Sequence, residues 1–200
     1  LLHPDLMATL PHLTEVTMRG ASRKAELALT VTRTEGGIDL AVFGGKPLEQ
    51  SLFSDLAQLA ELADLARLTW EGEPVANRRP AVQRFGQAMV APSAGAFLQA
   101  TADGEAALVA AVREAVGDAR RIADLFAGSG TFALPLTERA EVHAVEGEAP
   151  MLAALDAGWR QTLGLHRVTT EARDLFRRPL MPDELKRFDA VVIDPPRAGA

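Results

Sequence analysis

Cysteine is absent from these 200 residues, which excludes a disulfide scaffold, a thiolate metal site and a cysteine nucleophile within them. The same absence fits a reducing compartment. No apolar run approaches the roughly 18 residues that a membrane span needs. The start, LLHPDLMATL, has neither an initiator Met nor a basic segment leading into an apolar one, so it is not a signal peptide. The chain reads as the interior of a longer cytoplasmic protein. An excess of positive charge is lacking too. Lys and Arg number 21 against 27 Asp and Glu, and the net of −6 leaves no overall electrostatic footprint for nucleic acid, although a local basic patch can coexist with an acidic total. Arg19, Arg23, Lys24, Arg33, Arg78, Arg79 and Arg84 read better as scattered solvated charges than as one RNA-facing surface.

What is present is enough apolar material, 48% of residues, to build a core for one large domain or two small ones. The rhythm changes along the chain. Residues 15–19 (EVTMR), 25–33 (AELALTVTR) and 38–43 (IDLAVF) alternate with period two and read as strands, with Gly36-Gly37 as a hairpin signal. Leucines at 48, 52, 56, 59, 62, 65 and 68 recur at three- and four-residue steps and predict a helix over 48–68. LTWEGEP and AVQRFGQAMVAP read as further strands, which makes the first part a small α+β domain. Residues 104–116 and 149–163 are helical in pattern, whereas 121–126, 141–146, 167–172 and 188–194 are strand-like. Strands alternating with helices imply βαβ units and a parallel sheet. The domain boundary falls between Pro80 and Ala100, giving domains 1–84 and 85–200.

The sharpest segment is DLFAGSGTFALPL, residues 124–136. A strand ends in Asp124, and the chain crosses the turn Ala127-Gly128-Ser129-Gly130 and enters a helix expected to open at Ser129 to Thr131. Glycines let backbone approach a ligand and adopt positive φ, and a helix start offers unpaired N–H groups. Gly128, Gly130 and Ala133 also satisfy a dinucleotide fingerprint. Asp124 argues against that ligand, because a carboxylate there repels a pyrophosphate but suits the α-amino group and sulfonium side of S-adenosylmethionine. Glu146 ends the next strand, where a carboxylate accepts from both ribose hydroxyls of either cofactor. Asp174 follows the third strand, either as an adenine contact or as an N-cap. Upstream, Gln99 shares one side of an extended stretch with Phe97, and its amide can both donate and accept.

Asp194-Pro195-Pro196-Arg197 then lies at the carboxyl end of the fourth strand, beside the first, where ligands bind in such sheets. Prolines cannot continue a ladder and stiffen the backbone, holding Asp194 toward the crevice. Base-modifying methyltransferases use such a tripeptide to hold a planar nitrogen heterocycle near the methyl donor. A rigid capped turn is the plainer alternative. Arg197 meets either a phosphate or an acid.

AFLQAT, DLFAGSGTFALPL, AVEGEAPMLAAL, ARDLF and FDAVVIDPPRAGA, in this order and spacing, resemble the S-adenosylmethionine-dependent RNA 5-methyluridine methyltransferases, which act on transfer or ribosomal RNA. The match is specific over residues 85–200 and looser before them. The resemblance implies an α/β fold: a Rossmann-like class I methyltransferase sheet, incomplete with strands in the order 3-2-1-4, preceded by a small α+β domain. It implies contacts to S-adenosylmethionine, or at the target-base edge, from Gln99, Phe126, Thr131, Glu146, Asp174 and Asp194. Gly128 and Gly130 shape the turn, and Asp194 also orients the base. Many relatives have Asn where Thr131 stands.

The family's nucleophile is a cysteine downstream of the Asp-Pro-Pro-Arg motif, followed by a glutamate base, and this chain holds no cysteine. Carbon 5 of uracil needs thiolate addition at carbon 6 before it can take a methyl group. The expectation is therefore a fragment with the methyl-donor half of an RNA methyltransferase, inactive alone, with no metal, and with its fourth strand as an apolar edge prone to pairing. Exocyclic-amine methylation, which needs no cysteine, and a non-catalytic nucleotide- or RNA-binding module are the alternatives. The residues do not fix the oligomeric state.

Overall fold

A computed structural model describes residues 2–23 and 25–196. The chain divides into two compact units, Leu1–Val82 and Gln83–Ala200.

The first unit runs α1 (Pro4–Gly20), β1 (Ala28–Thr34), β2 (Gly37–Phe43), α2 (Gln50–Leu62), β3 (Leu65–Trp70) and β4 (Glu73–Asn77). Its sheet has the order β1-β2-β3-β4. The β1–β2 and β3–β4 pairs are antiparallel, while β2 and β3 run parallel across the α2 crossover.

Two expectations fail here. Residues 15–19 are helical, not a strand, and belong to α1. Their alternation is incidental: Val16 is fully buried while Met18 is 73% exposed. The governing series is Leu6, Thr9, Leu13, Val16 and Gly20, whose steps of three and four put one stripe on the core. The helix expected over 48–68 ends at Leu62, because Asp64 takes a left-handed φ of 49° and the chain turns into β3. Leu65 and Leu68 are strand residues that continue the three-residue step by coincidence, and Leu62 faces out at 73% exposure.

The buried indole of Trp70 organises this core, donating from Nε1 to the Lys46 carbonyl at 2.9 Å. Gly20 and Gly45 leave it room, since a Cβ on either would come within 2.0 Å of the ring. Trp70→Ala is expected to destabilise this unit by about 3–5 kcal/mol, read as a lowered urea midpoint in far-ultraviolet circular dichroism. A change below about 1 kcal/mol contradicts this packing. The arginines of this unit are largely occupied: Arg19 pairs with Glu15 and Asp55, Arg33 with Asp5, and Arg78 and Arg79 with Asp64. Arg67 meets the buried Asp39 with two hydrogen bonds of 2.8 and 2.7 Å.

The second unit runs β5 (Gln83–Phe85), β6 (Ala88–Val90), α3 (Ala102–Val116), β7 (Arg121–Leu125), α4 (Ala133–Leu136), β8 (Glu141–Glu146), α5 (Ala149–Arg160), β9 (Val168–Ala172), α6 (Pro182–Leu185) and β10 (Ala190–Ile193). β5 and β6 form a hairpin. The other four strands form a parallel sheet of order β10-β7-β8-β9, which is the expected 3-2-1-4 arrangement.

Alternate side chains serve the two faces of this sheet. Ile122, Val142, Ala144, Val168 and Val192 join Leu134, Leu152 and Leu155 in one cluster. Ala123, Leu125 and Val145 meet Leu175 and Leu180 in another. Strands buried on both faces read as near-continuous apolar runs, which is why β7 and β8 were legible. β10 lies at the edge of the sheet among the described residues, with Val191 and Ile193 exposed. The isolated chain is expected to self-associate there, with light scattering rising with concentration; a clean monomer at high concentration contradicts it. No described helix is long and apolar enough to cross a membrane.

Candidate binding site at the carboxyl ends of the parallel strands

Strand register assembles the site. Leu125 in β7 lies opposite Val145 in β8 and Ile193 in β10. One residue further on, Glu146 and Asp194 therefore flank Phe126, with Asp124 just behind. Three carboxylates separated by up to 70 positions in the chain thus converge at one end of a sheet.

The chain after β7 turns sharply. Phe126, Gly128 and Gly130 all have positive φ, at 62°, 55° and 103°. Such values are ordinary for glycine and strained for phenylalanine, whose ring packs on Phe176 with centroids 5.3 Å apart. The turn closes through the Gly130 N–H to the Ala127 carbonyl. The helix expected to open at Ser129 to Thr131 instead begins at Ala133 and lasts four residues. Gly130 is not helical, and Pro135 removes a donor from the turn that follows. The donors at this site are therefore those of the turn rather than of a long helix.

Glu146 clamps the turn. Its Oε2 accepts from the Gly128 N–H at 3.0 Å, and its Oε1 accepts from the N–H groups of Gly147 and Glu148 at 2.6 and 3.1 Å. The carboxylate stays half-buried. Above Gly128 there is open space, with nothing within 4 Å of where a Cβ would stand.

Asp124 is the unusual member. It is fully buried, and neither carboxylate oxygen has a hydrogen-bond partner among the described residues. Desolvation pushes its pKa up to about 7, helped by the charges of Asp194 and Glu146. The Ala133 N–H pulls the other way, although it does not reach full hydrogen-bond geometry. An orphaned carboxylate in a dry site marks a place shaped for something else. Ser129, also buried, has an unpartnered Oγ in the same turn. It was missed from the sequence, where its only signal is a hydroxyl between two glycines.

The remaining candidates vary. Thr131 is half-buried in the turn. Asp194 is exposed, and its N–H reaches the Leu125 carbonyl at 3.4 Å. Asp174 is exposed and acts as a cap: its Oδ1 accepts from the N–H groups of Phe176 and Arg177 at 3.0 and 3.2 Å. Gln99 is half-buried in the irregular stretch before α3, and no hydrogen bond ties it to the cluster among the described residues. Arg197 lies outside the described residues. Clefts of ≈ 510 and ≈ 310 Å³ occur elsewhere in this unit and share no residue with the cluster. Among the described residues no group of three or more carboxylates and histidines is placed to hold a metal ion.

Chemically, the site offers three carboxylates, a turn with room above one glycine, and an unpartnered hydroxyl. That set fits a small cation with vicinal hydroxyls and disfavours a pyrophosphate.

No family model matches the chain. Over 197 residues, 98% of this chain and 48% of the relative, it is 47% identical to a Brucella suis protein named as an uncharacterized RNA methyltransferase. Over nearly its whole length the chain is similar to proteins named as RNA methyltransferases. A second relative is the 23S rRNA (uracil(1939)-C(5))-methyltransferase RlmD of Chromohalobacter salexigens, 40% identical over 109 residues, which are 53% of this chain and 22% of that one. Among solved structures, the tRNA (uracil-54, C5)-methyltransferase of Pyrococcus abyssi, in complex with S-adenosyl-L-homocysteine, superposes with a TM-score of 0.68. It is 18% identical and covers 96% of this chain and 50% of its own, so it establishes the fold: the second unit carries a Rossmann-like class I methyltransferase sheet. The chain spans about half the length of the RNA methyltransferases it matches throughout.

Proposed function

We propose that this chain is the methyl-donor-binding half of an S-adenosylmethionine-dependent RNA methyltransferase that modifies carbon 5 of uridine in transfer or ribosomal RNA. The observation that carries this reading is the buried, unpartnered Asp124 beside Glu146 and Asp194 at the carboxyl ends of neighbouring parallel strands. Bound S-adenosylmethionine supplies the methyl group. Asp124 holds the α-ammonium, and Glu146 accepts from the ribose hydroxyls while its remaining lone pairs keep the glycine turn in place. Gly128 and Gly130 let backbone approach the ligand. Phe126, Thr131, Asp174 and Gln99 are further contacts to the cofactor or the base edge. Asp174 reaches a ligand only if it gives up or shares its capping bonds.

Asp194 orients the target base, held by the two prolines that follow it. Carbon-5 chemistry also needs a thiolate, which these 200 residues do not contain, so the nucleophile and the base come from the rest of the protein. Uracil carbon 5 rather than an exocyclic amine is supported by the similarity to the uracil-C5 enzyme of Chromohalobacter salexigens and by the Arg-Ala-Gly that follows the prolines.

The test is to incubate the whole protein with radiolabelled S-adenosylmethionine and unmodified transfer and ribosomal RNA, then digest the RNA to nucleosides. Label in 5-methyluridine is expected. Label in an N-methylated adenosine, guanosine or cytidine overturns the carbon-5 assignment.

A further inference from the structure

Asp124 presents a problem that its role as a contact does not solve. A carboxylate shut off from water, with no donor on either oxygen among the described residues, is one of the costliest groups a protein can bury. Its charged surroundings make matters worse. Glu146 from the end of β8 and Asp194 from the end of β10 both bring negative charge, and α4 contributes only the partial positive end of the Ala133 N–H. No Arg, Lys or His among the described residues opposes them at Asp124. Below about pH 7 Asp124, buried beside these charges, therefore keeps its proton while the site lacks a cation.

Resting on the reading of the site given above, we propose that Asp124 is the specificity group of the methyl-donor site, and that it recognises the donor by exchanging a proton for the donor's α-ammonium. In the free chain below about pH 7, Asp124 keeps its proton. When an ammonium-bearing nucleoside enters, Asp124 binds it as a carboxylate and the proton leaves to solvent. No covalent bond forms or breaks. One proton is released for one cation bound, so the buried charge is zero before binding and paired after it.

Two consequences follow. Donor binding is linked to pH, because at low pH the ligand must displace a proton that is firmly held. With the carboxyl near pH 7 in the free chain, affinity rises about eightfold from pH 6.0 to pH 7.5. Over that range the ligand's own α-amine stays largely protonated. The site also discriminates by charge: an adenosine thioether without the amino-acid arm displaces no proton, since it engages Glu146 but brings nothing to Asp124.

Isothermal titration of the chain tests this, with S-adenosylhomocysteine and 5′-methylthioadenosine as probes, at pH 6.0 and 7.5, in buffers of different ionisation enthalpy. The expected result is close to one proton released per S-adenosylhomocysteine at pH 6.0, an affinity that climbs with pH, and neither effect with 5′-methylthioadenosine. Asp124→Asn, checked for folding by thermal melt, binds S-adenosylhomocysteine more weakly and without the pH slope. Equal affinity at both pH values in a chain that binds the ligand overturns the proton exchange while leaving the cofactor site standing. A slope that persists in Asp124→Asn, or that 5′-methylthioadenosine shares, also overturns it. Failure of both probes to bind a folded chain removes the cofactor site and this inference together.

Discussion

Gly128→Ala is expected to leave the second unit folded and to weaken S-adenosylhomocysteine binding by at least tenfold, whereas Gly130→Ala is expected to unfold the unit. The two glycines stand two residues apart in one turn, yet their surroundings differ. A Cβ on Gly128 meets nothing within 4 Å, and its φ of 55° is a left-handed value that alanine adopts for roughly 1–2 kcal/mol. The added methyl group therefore projects into the space assigned to the ligand. A Cβ on Gly130 falls 2.8 and 2.9 Å from Leu134 and 3.0 Å from Leu155, both in the core, at a φ of 103° that alanine strongly resists. Overpacking of this kind costs about 1–3 kcal/mol before the backbone strain is added. Urea denaturation followed through Trp159, in α5, measures the fold, and a titration measures the site. Unchanged affinity in Gly128→Ala would mean that the ligand does not approach the turn.

Asp124→Asn is expected to stabilise the free chain at pH 8 by roughly 4 kcal/mol while damaging the site. The folded carboxyl titrates at about 7 against an ordinary 3.8, so folding favours its protonated form. The stability this contributes is complete below about pH 4 and is lost as pH rises from there through 7. At pH 8 the native fold carries a buried, unpaired carboxylate, whereas the nearly isosteric Asn stays neutral. The gap between variant and native protein therefore opens with rising pH and narrows toward pH 4.5. Urea midpoints at the two pH values measure it. A gap independent of pH, or greater native stability at pH 8, contradicts the burial of an unpartnered charge. A group that costs stability in the free state and strengthens it in the bound state is what a binding site retains.

Much of this was legible in sequence because the signals were redundant. β7, β8 and β10 are short apolar runs with an Asp or Glu at or beside their last residue, and two glycines and two prolines mark the points where the chain leaves β7 and β10. Register then does the rest, since parallel strands of matched length bring their ends together. The errors have physical causes. Val16 and Met18 imitate a strand because a window of five residues cannot separate period 2 from period 3.6; only the series from Leu6 to Gly20 does. Leu65 and Leu68 imitate a continued helix because nothing in the composition marks Asp64 as left-handed. Asp174 was read as cap or contact, and the capping bonds to Phe176 and Arg177 are what the structure forms. Whether a carboxylate finds donors depends on backbone conformation at neighbouring strands. The isolation of Asp124, and that of Ser129, was therefore beyond reach before the fold was known.

The central claim is that the carboxyl ends of β7, β8 and β10 form a site for an S-adenosyl ligand. Its most direct test is titration of the 200-residue chain with S-adenosylhomocysteine beside Glu146→Ala. The account predicts one ligand bound per native chain, and an affinity loss of at least about a hundredfold in a folded variant. That loss reflects both the missing charged acceptor for the ribose and the three N–H groups Glu146 no longer holds. A folded native chain that does not bind, or a variant that binds as tightly as the native one, would contradict the account.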